Sequence, residues 1–163
     1  MRRSTFSVAI ASVVFFGAGC ESPELTLQQR AVAEQALRNL IIDFTTAMNN
    51  EALEELEKLY VNSDDLSVLW IEGNTARGFE EFHEMIQDFY GRTRFLNFSV
   101  QSPQVDVLAE NVAVVTFRHS ADVVWFDTRR DVWAGHGTLV LTKDPVDERW
   151  RIHRQHVSVN PLR

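Results

Sequence analysis

Residues 95–126 read FLNFSVQSPQVDVLAENVAVVTFRHSADVVWF, and this stretch decides the fold because its apolar residues recur at every second position. In its second half, Val115, Phe117 and Val123 alternate with hydroxyl-bearing, charged or small residues. An apolar period of two is typical of a β-strand with one buried face. The polar tripeptide at 109–111 interrupts the pattern once. The stretch therefore predicts two long strands joined by a tight turn, near 95–108 and 112–126.

The same period continues to the end of the chain. Two further strands are predicted near 131–143 and 149–159, because turn-forming residues at 127–130 and 143–147 separate the apolar runs. Four strands joined by short turns predict an antiparallel meander.

Before residue 95 the apolar period is 3.6, which indicates helices. A first helix is predicted at about 27–48, with Thr26 and Gln29 as its capping box. A second helix carries Leu53, Leu56, Leu59 and Tyr60, a short strand covers 66–71, and a third helix opens at Gly78 and ends at Gly91. Helices followed by a run of strands predict an α+β fold, a curved antiparallel sheet with three N-terminal helices packed on one face.

The N-terminus has the order of an export signal. Arg2 and Arg3 precede an apolar run that is short for a membrane span, and small residues follow at 17–19. The segment Gly17-Ala18-Gly19-Cys20 resembles a bacterial lipobox, and Cys20 is the only cysteine. We therefore expect a signal peptide at 1–19, a lipid-attachment cysteine and tether at 20–26, and one domain at 27–160. The expected location is the outer membrane or cell envelope, or otherwise the periplasm or the medium.

The negative net charge limits the classes of macromolecule that this protein is expected to bind. Removal of Arg2 and Arg3 with the signal leaves 14 Lys+Arg against 23 Asp+Glu, a net charge of −9. An acidic surface argues against nucleic acid as a partner. The sequence contains no second apolar stretch of spanning length, so the membrane is expected to be contacted through the lipid anchor only.

The order of elements and several motifs resemble the SnoaL-like branch of the nuclear transport factor 2 superfamily. The resemblance rests on Tyr60 at the end of the second helix, Gly78 before the third, and the segments 110–115 and 138–141. It rests most on the C-terminal pattern, where Trp150, Ile152, His156 and Ser158 match and Arg154 stands where the family often has histidine. The resemblance implies a cone-shaped domain with helices on the concave face of the sheet, and a ligand pocket at its open end. A homodimer through the outer face of the sheet is also implied.

Strand alternation then suggests which side chains enter the cone. Trp150 and Ile152 are apolar, so their face of the last strand is expected to point inward together with Arg154, His156 and Ser158. Asp43 lies at the edge of the apolar stripe of the first helix and could pair with Arg154 or orient His156. A buried His–Asp pair is one way to hold a base near neutrality. His156 and Asp43 are thus the candidate catalytic pair, and either could equally be structural.

Other side chains could complete the pocket. His119 shares parity with Phe117, and His136 shares parity with Val132, so either could line the mouth. The expected ligand-binding set is Arg154, Trp70, Phe44, Phe82, Trp125 and His136. Chelating spacing on one face of an element is absent, so no metal site is expected, and no cofactor motif is present.

Three functions stay open at this point. The first is an exported binding or accessory domain that holds a small hydrophobic or weakly acidic ligand. The second is a cyclase, isomerase or dehydratase with His156 as general base. The third is an interaction module whose pocket is filled by its own side chains. A ketosteroid isomerase mechanism is not expected, because the first helix has Phe44 and no tyrosine to act as oxyanion donor.

Overall fold

The computed structural model describes residues 24–161, and the predicted export signal and Cys20 lie outside them. The elements follow in the order α1 (Leu27–Asn49), α2 (Leu53–Glu57), β1 (Ser67–Leu69), β2 (Thr75–Arg77), α3 (Phe79–Arg92), β3 (Thr93–Ala109), β4 (Val112–Trp125), β5 (Arg130–Lys143) and β6 (Trp150–Pro161). The predicted α+β fold is confirmed: a curved six-stranded sheet carries the helices on one face. No helix between residues 24 and 161 has the length and apolar character needed to cross a membrane.

Local signals set the starts of α1 and α3 where the sequence predicted them. The predicted end of the second helix at Tyr60 is wrong, because α2 ends at Glu57 and Tyr60 forms a parallel bridge with Ile152. The Thr26 side chain accepts from the Gln29 backbone N–H at 3.2 Å, and the Gln29 side chain accepts from the Thr26 N–H at 2.9 Å. This reciprocal pair satisfies two donors that a helix start leaves open. Gly78 has a φ of 81° immediately before α3, a backbone region that favours glycine.

The sheet order is β2-β1-β6-β5-β4-β3, and it is mixed where an antiparallel sheet was predicted. β1 pairs with β6 in parallel, while the four-strand meander and the β1–β2 pair are antiparallel. The reason is the path of the chain: the meander begins at the far edge and returns, so β6 runs beside β1 in the same direction. β2 was not predicted, because three residues are too few for a periodic signal.

The core fills the space between the helices and the concave face of the sheet, called here the inner face. Tyr60 packs on Phe82 with ring centroids 4.1 Å apart, and Phe44 meets Phe98 edge-on at 5.7 Å. All four of these rings are buried. Apolar burial at such positions is the main force that holds the domain together. The opposite face, called here the outer face, is covered by no described helix.

Candidate functional site

A bulge in the last strand changes the orientation of the residues that the sequence placed inside the cone. Leu141 of β5 pairs with Ile152, but the preceding residue, Val140, pairs with Arg154. His153 is therefore an extra residue in β6. One extra residue reverses the alternation of every side chain that follows it.

Beyond the bulge, Gln155 and Val157 are buried, whereas Arg154, His156 and Ser158 are exposed. The predicted inward orientation of Arg154 and His156 is thus wrong. The sequence contained a signal for this change, because Val157 is apolar and has the opposite parity to Ile152. Arg154 instead donates to the backbone carbonyls of Asp65 and His153.

The expected contact between Asp43 and His156 is not made. Asp43 is exposed on α1, on the side of the sheet that the helices cover, and His156 points outward from the opposite face. Asp43 lines a surface groove of about 650 Å³ between α1, α2 and the turn before β6. The sequence reasoning failed here because the Asp43 proposal depended on the inward orientation of β6.

The remaining predicted ligand-binding residues divide between the two faces. His136 is exposed on the outer face, so its expected position at the mouth is wrong. Trp70, Phe44, Phe82 and Trp125 are buried on the inner side, as expected. Their role in ligand binding stays a prediction.

His119 is a polar residue that the structure does place on the inner face. It is 2% exposed, and its ring stacks on Phe98 with centroids 5.7 Å apart. Its Nε2 lies 3.2 Å from the carbonyl oxygen of Ser158. A carbonyl can only accept, so Nε2 carries the hydrogen and Nδ1 presents a lone pair. Nδ1 has no partner among the described residues.

The electrostatic surroundings keep this imidazole neutral. Burial lowers the pKa of His119 below its ordinary value of 6.5, and the charge of nearby His136 lowers it slightly further. The hydrogen bond to Ser158 acts in the opposite direction, with a smaller effect than burial. A neutral imidazole with a free lone pair in an apolar setting can act as a base or accept a hydrogen bond.

Two glycines on β5 make room for this arrangement. A Cβ at Gly137 would lie 2.3 Å from the ring of Phe117. A Cβ at Gly135 would lie 1.8 Å from the carbonyl oxygen of Ser158 and 3.1 Å from His119 Nε2. The missing side chain thus makes room for the Phe117 ring at Gly137, and at Gly135 for the carbonyl that His119 contacts. His119 was noted from the sequence for its parity but was not chosen, and the facing glycines are the signal that could have singled it out.

Two unpartnered donors accompany His119. The hydroxyl of Tyr60 donates to Gln155 Oε1 at 2.6 Å, and this leaves Gln155 Nε2 buried without an acceptor. The indole Nε1 of Trp70 is also buried without a partner. A fourth such atom, Nε2 of His153, lies at the bulge. Buried polar atoms without partners are rare in folded proteins, so each one needs an explanation.

The strand registers place the three inner-face residues on neighbouring rows. His119 pairs with Gly135, which pairs with Val159 two residues beyond Val157. Gln155 lies two residues before Val157 on β6. Leu69 pairs with His156, so the next residue, Trp70, comes level with Val157. One acceptor and two donors thus lie on three consecutive rows of the inner face, with Gln155 two strands and Trp70 three strands away from His119.

Trp125 differs from Trp70 in this respect. Its Nε1 donates to Asp131 at 2.7 Å, and the guanidinium groups of Arg92 and Arg129 lie 5.1 and 5.0 Å from its ring centroid. All of its polar capacity is used within the fold. The N–H of Trp125 is therefore already bonded, whereas the N–H of Trp70 has no acceptor among the described residues.

The described residues contain no group of three or more His, Cys, Asp or Glu side chains that could hold a metal ion. The inner face presents the lone pair of a neutral imidazole and two N–H donors among aromatic side chains.

Comparisons with known proteins agree with this architecture. A model of the SnoaL-like domain matches residues 37–161. A protein provisionally named a scytalone dehydratase, from Novosphingobium aromaticivorans DSM 12444, is similar with a TM-score of 0.73 at 18% identity, over 83% of this chain and 89% of that one. A nuclear transport factor 2-like superfamily protein from Salmonella enterica serovar Typhimurium LT2 gives 0.71 at 21% identity, over 82% and 94%.

A hexachlorocyclohexane dehydrochlorinase, LinA type 2, is similar with a TM-score of 0.73 at 12% identity, over 85% of this chain and 94% of that one. A search of curated protein sequences finds no match. Identities this low establish a shared fold and no shared activity. The domain model covers most of the chain, from the core of α1 to the end of β6, and the protein belongs to the SnoaL-like family.

Proposed function

We propose that this protein is an exported, lipid-anchored domain that binds a small, flat, apolar molecule inside the cone, with His119, Gln155 and Trp70 as its polar contacts. The observation that carries the proposal is the set of three buried polar atoms without partners on consecutive rows of the inner face. A hydroxyl of the ligand could donate to His119 Nδ1, and a separate acceptor atom of the same ligand could accept from Gln155 or Trp70.

The ligand would lie over Gly137, where the inner face lacks a side chain. The ring of Phe117 covers Gly137 at a distance that leaves no room for a Cβ. We infer that the ligand replaces this ring, which must rotate away. The aromatic neighbours Phe98 and Phe44 would then form one wall of the pocket.

A pair of fluorescent probes tests the hydrogen bonds. 2-Naphthol and naphthalene have the same ring system, and only the former has a hydroxyl. We expect 2-naphthol to bind roughly tenfold more tightly, because the hydroxyl satisfies His119 Nδ1. His119→Phe should remove this preference, while His136→Phe, the matched change on the outer face, should retain it. Equal binding of both probes by the wild type would contradict the proposal.

A second candidate function is catalysis of proton abstraction, as in an isomerase or dehydratase. The specific observation in its favour is the free lone pair of a neutral, buried imidazole. A proton would move from a carbon next to a substrate carbonyl to Nδ1 of His119. The electron pair would move to the carbonyl oxygen, where the N–H of Trp70 or Gln155 stabilises the charge.

Deuterium exchange can test this without knowledge of the natural substrate. 2-Tetralone has acidic C–H bonds beside its carbonyl, and their exchange in D2O is followed by NMR. If the site is catalytic, wild-type protein should accelerate exchange by roughly 10²–10⁴-fold over buffer. His119→Gln should return it to the buffer rate. If the probe binds but its exchange is not accelerated, the catalytic function is excluded and the binding function is supported.

The export part of the proposal rests on residues 1–20 of the sequence. Labelled palmitate should enter the wild-type chain in a bacterial host and should not enter Cys20→Ser. If neither chain takes up label, the domain is exported without an anchor or not exported, and the pocket proposal is unaffected.

A further inference from the structure

The outer face of the sheet carries a diagonal line of basic and imidazole side chains, called here the outer stripe. It crosses five strands, from β2 at one side to β4 at the other, and has members on four of them. Its members are all exposed: Arg77, Arg154, His156, His136 and Arg118.

The registers make these residues neighbours. Arg118 and His136 are direct cross-strand partners. His136 is two residues from Thr138, the partner of His156, so His136 and His156 are diagonal neighbours on one face. Arg154 lies two residues before His156 on β6. Arg154 and Arg77 both pair with Ser67 of β1, one from each side.

The stripe side chains form no ion pairs with carboxylates among residues 24–159, although Glu81 Oε2 accepts from the backbone N–H of Arg77 at 2.8 Å. Several other arginines are ion-paired, for example Arg130 with Asp122 at 2.6 Å and Arg151 with Asp147 at 2.6 Å. Within residues 24–159, Arg154 is bonded only to backbone carbonyls. The whole chain has a net charge of −7, so the stripe is an unpaired basic surface on an acidic protein.

We propose that the outer stripe docks an acidic segment of a partner protein. Guanidinium groups bind carboxylates through two parallel hydrogen bonds, and carboxylates spaced along an extended chain fit a line of such groups across strands. An inserted lipid surface fits less well, because none of the large apolar side chains that are exposed in residues 24–159 belongs to the stripe. Val132 on β5 and Phe95 on β3 lie on other parts of the same face, and Leu27 and Val146 lie off it. This inference concerns the outer face and is independent of the proposed ligand site.

The test uses a fluorescein-labelled octaglutamate peptide and full-length chain with Cys20→Ser, so that no lipid is attached. Fluorescence anisotropy at low salt should detect binding that weakens as salt rises. The double variant Arg118→Gln/Arg154→Gln should bind roughly tenfold more weakly. The control Arg38→Gln/Arg94→Gln changes the net charge equally at exposed arginines outside the stripe and should bind as the wild type does.

Three results would overturn the proposal. The first is equal weakening in both double variants, which would mean non-specific attraction. The second is stripe-dependent binding to phosphatidylglycerol vesicles with none to the peptide, which would make the partner a lipid. The third is a homodimer, seen by analytical ultracentrifugation, that Arg118→Gln/Arg154→Gln strengthens, because then the stripe would be buried between two copies. Thermal unfolding at the wild-type temperature verifies that both variants are folded.

Discussion

The two faces of strands β4, β5 and β6 differ in almost every chemical property, although successive residues of the same strands supply them. The inner face is buried and aromatic, and it holds one neutral imidazole, that of His119. The outer face exposes Arg118 and His136, direct neighbours of residues on the inner face. Alternation alone separates the two sets, so a shift of one residue exchanges them.

One such shift occurs in β6, where His153 is the extra residue of a bulge. The bulge lets β6 begin with Ile152 on the inner face and continue with Gln155 and Val157 there. Without it, the charge of Arg154 would enter an apolar core. The difference between the faces therefore depends on one residue in this strand, and the following predictions test it from the largest expected effect to the smallest.

Deletion of His153 should have the largest effect. The alternation of β6 would then continue from Ile152 with Arg154 and His156 facing inward. An unpaired buried charge costs about 3–5 kcal/mol, and exposure of Val157 adds to this. We expect no cooperative thermal unfolding by circular dichroism.

The control is His153→Ala, which keeps the length of the strand and should unfold within a few degrees of the wild type. A deletion variant with wild-type stability would mean that β6 keeps its faces by sliding past β5 and that the bulge is dispensable.

The next effect compares neighbouring residues on the two faces. Phe117→Ala removes a buried ring that lies across Gly137, so it should lower the free energy of unfolding by about 3–5 kcal/mol. Arg118→Ala, one residue later on the outer face, should change it by less than about 0.5 kcal/mol. Urea unfolding at pH 7 gives both values. Similar losses in the two variants would show that the outer face is covered in solution.

These two predictions also show where the sequence was sufficient. The apolar period of two around Phe117 predicted the strands. The apolar residues of that period were also correctly predicted to lie on the inner face. The capping box at Thr26 and the glycine at Gly78 gave helix starts, because each is a local interaction that two to four residues decide.

The sequence was not sufficient for the candidate site. The orientation of His156 was extrapolated from Ile152 across a bulge, and a bulge is decided by pairing with another strand. The importance of His119 depends on Gly135 and on the carbonyl of Ser158, both distant in the chain. The parallel pairing of β1 with β6 was missed for the same reason, because it depends on residues that are distant in the chain.

A smaller effect concerns the buried polar pair of the inner face. Tyr60→Phe removes the donor to Gln155 and leaves that amide without any partner, so it should cost about 1–3 kcal/mol. The double variant Tyr60→Phe/Gln155→Leu should recover part of this loss, because no polar group is then left unpaired. Urea unfolding of both single variants and the double variant gives the coupling free energy. Additive losses would show that the two side chains act independently.

The smallest effect is a pH dependence of opposite sign at two histidines. Burial lowers the pKa of His119 below 6.5, so at pH values just under 6.5 the unfolded chain binds a proton that the folded protein does not. The free energy of unfolding should therefore fall as the pH decreases from 6.5 to the folded pKa, and then level off at this site. His119→Gln should remove this part of the profile.

His83 should behave in the opposite way. Its Nδ1 lies 2.5 Å from Glu57 Oε1, and this hydrogen bond raises its pKa above 6.5. Its stabilising contribution is complete below pH 6.5 and is lost as the pH rises through the raised folded pKa. NMR titration of the imidazole signals should place His119 below and His83 above 6.5, and Glu57→Gln should lower only the pKa of His83. If His119 titrated at or above 6.5, the inner face would be open to water, and the neutral base on which the contrast between the two faces depends would be absent.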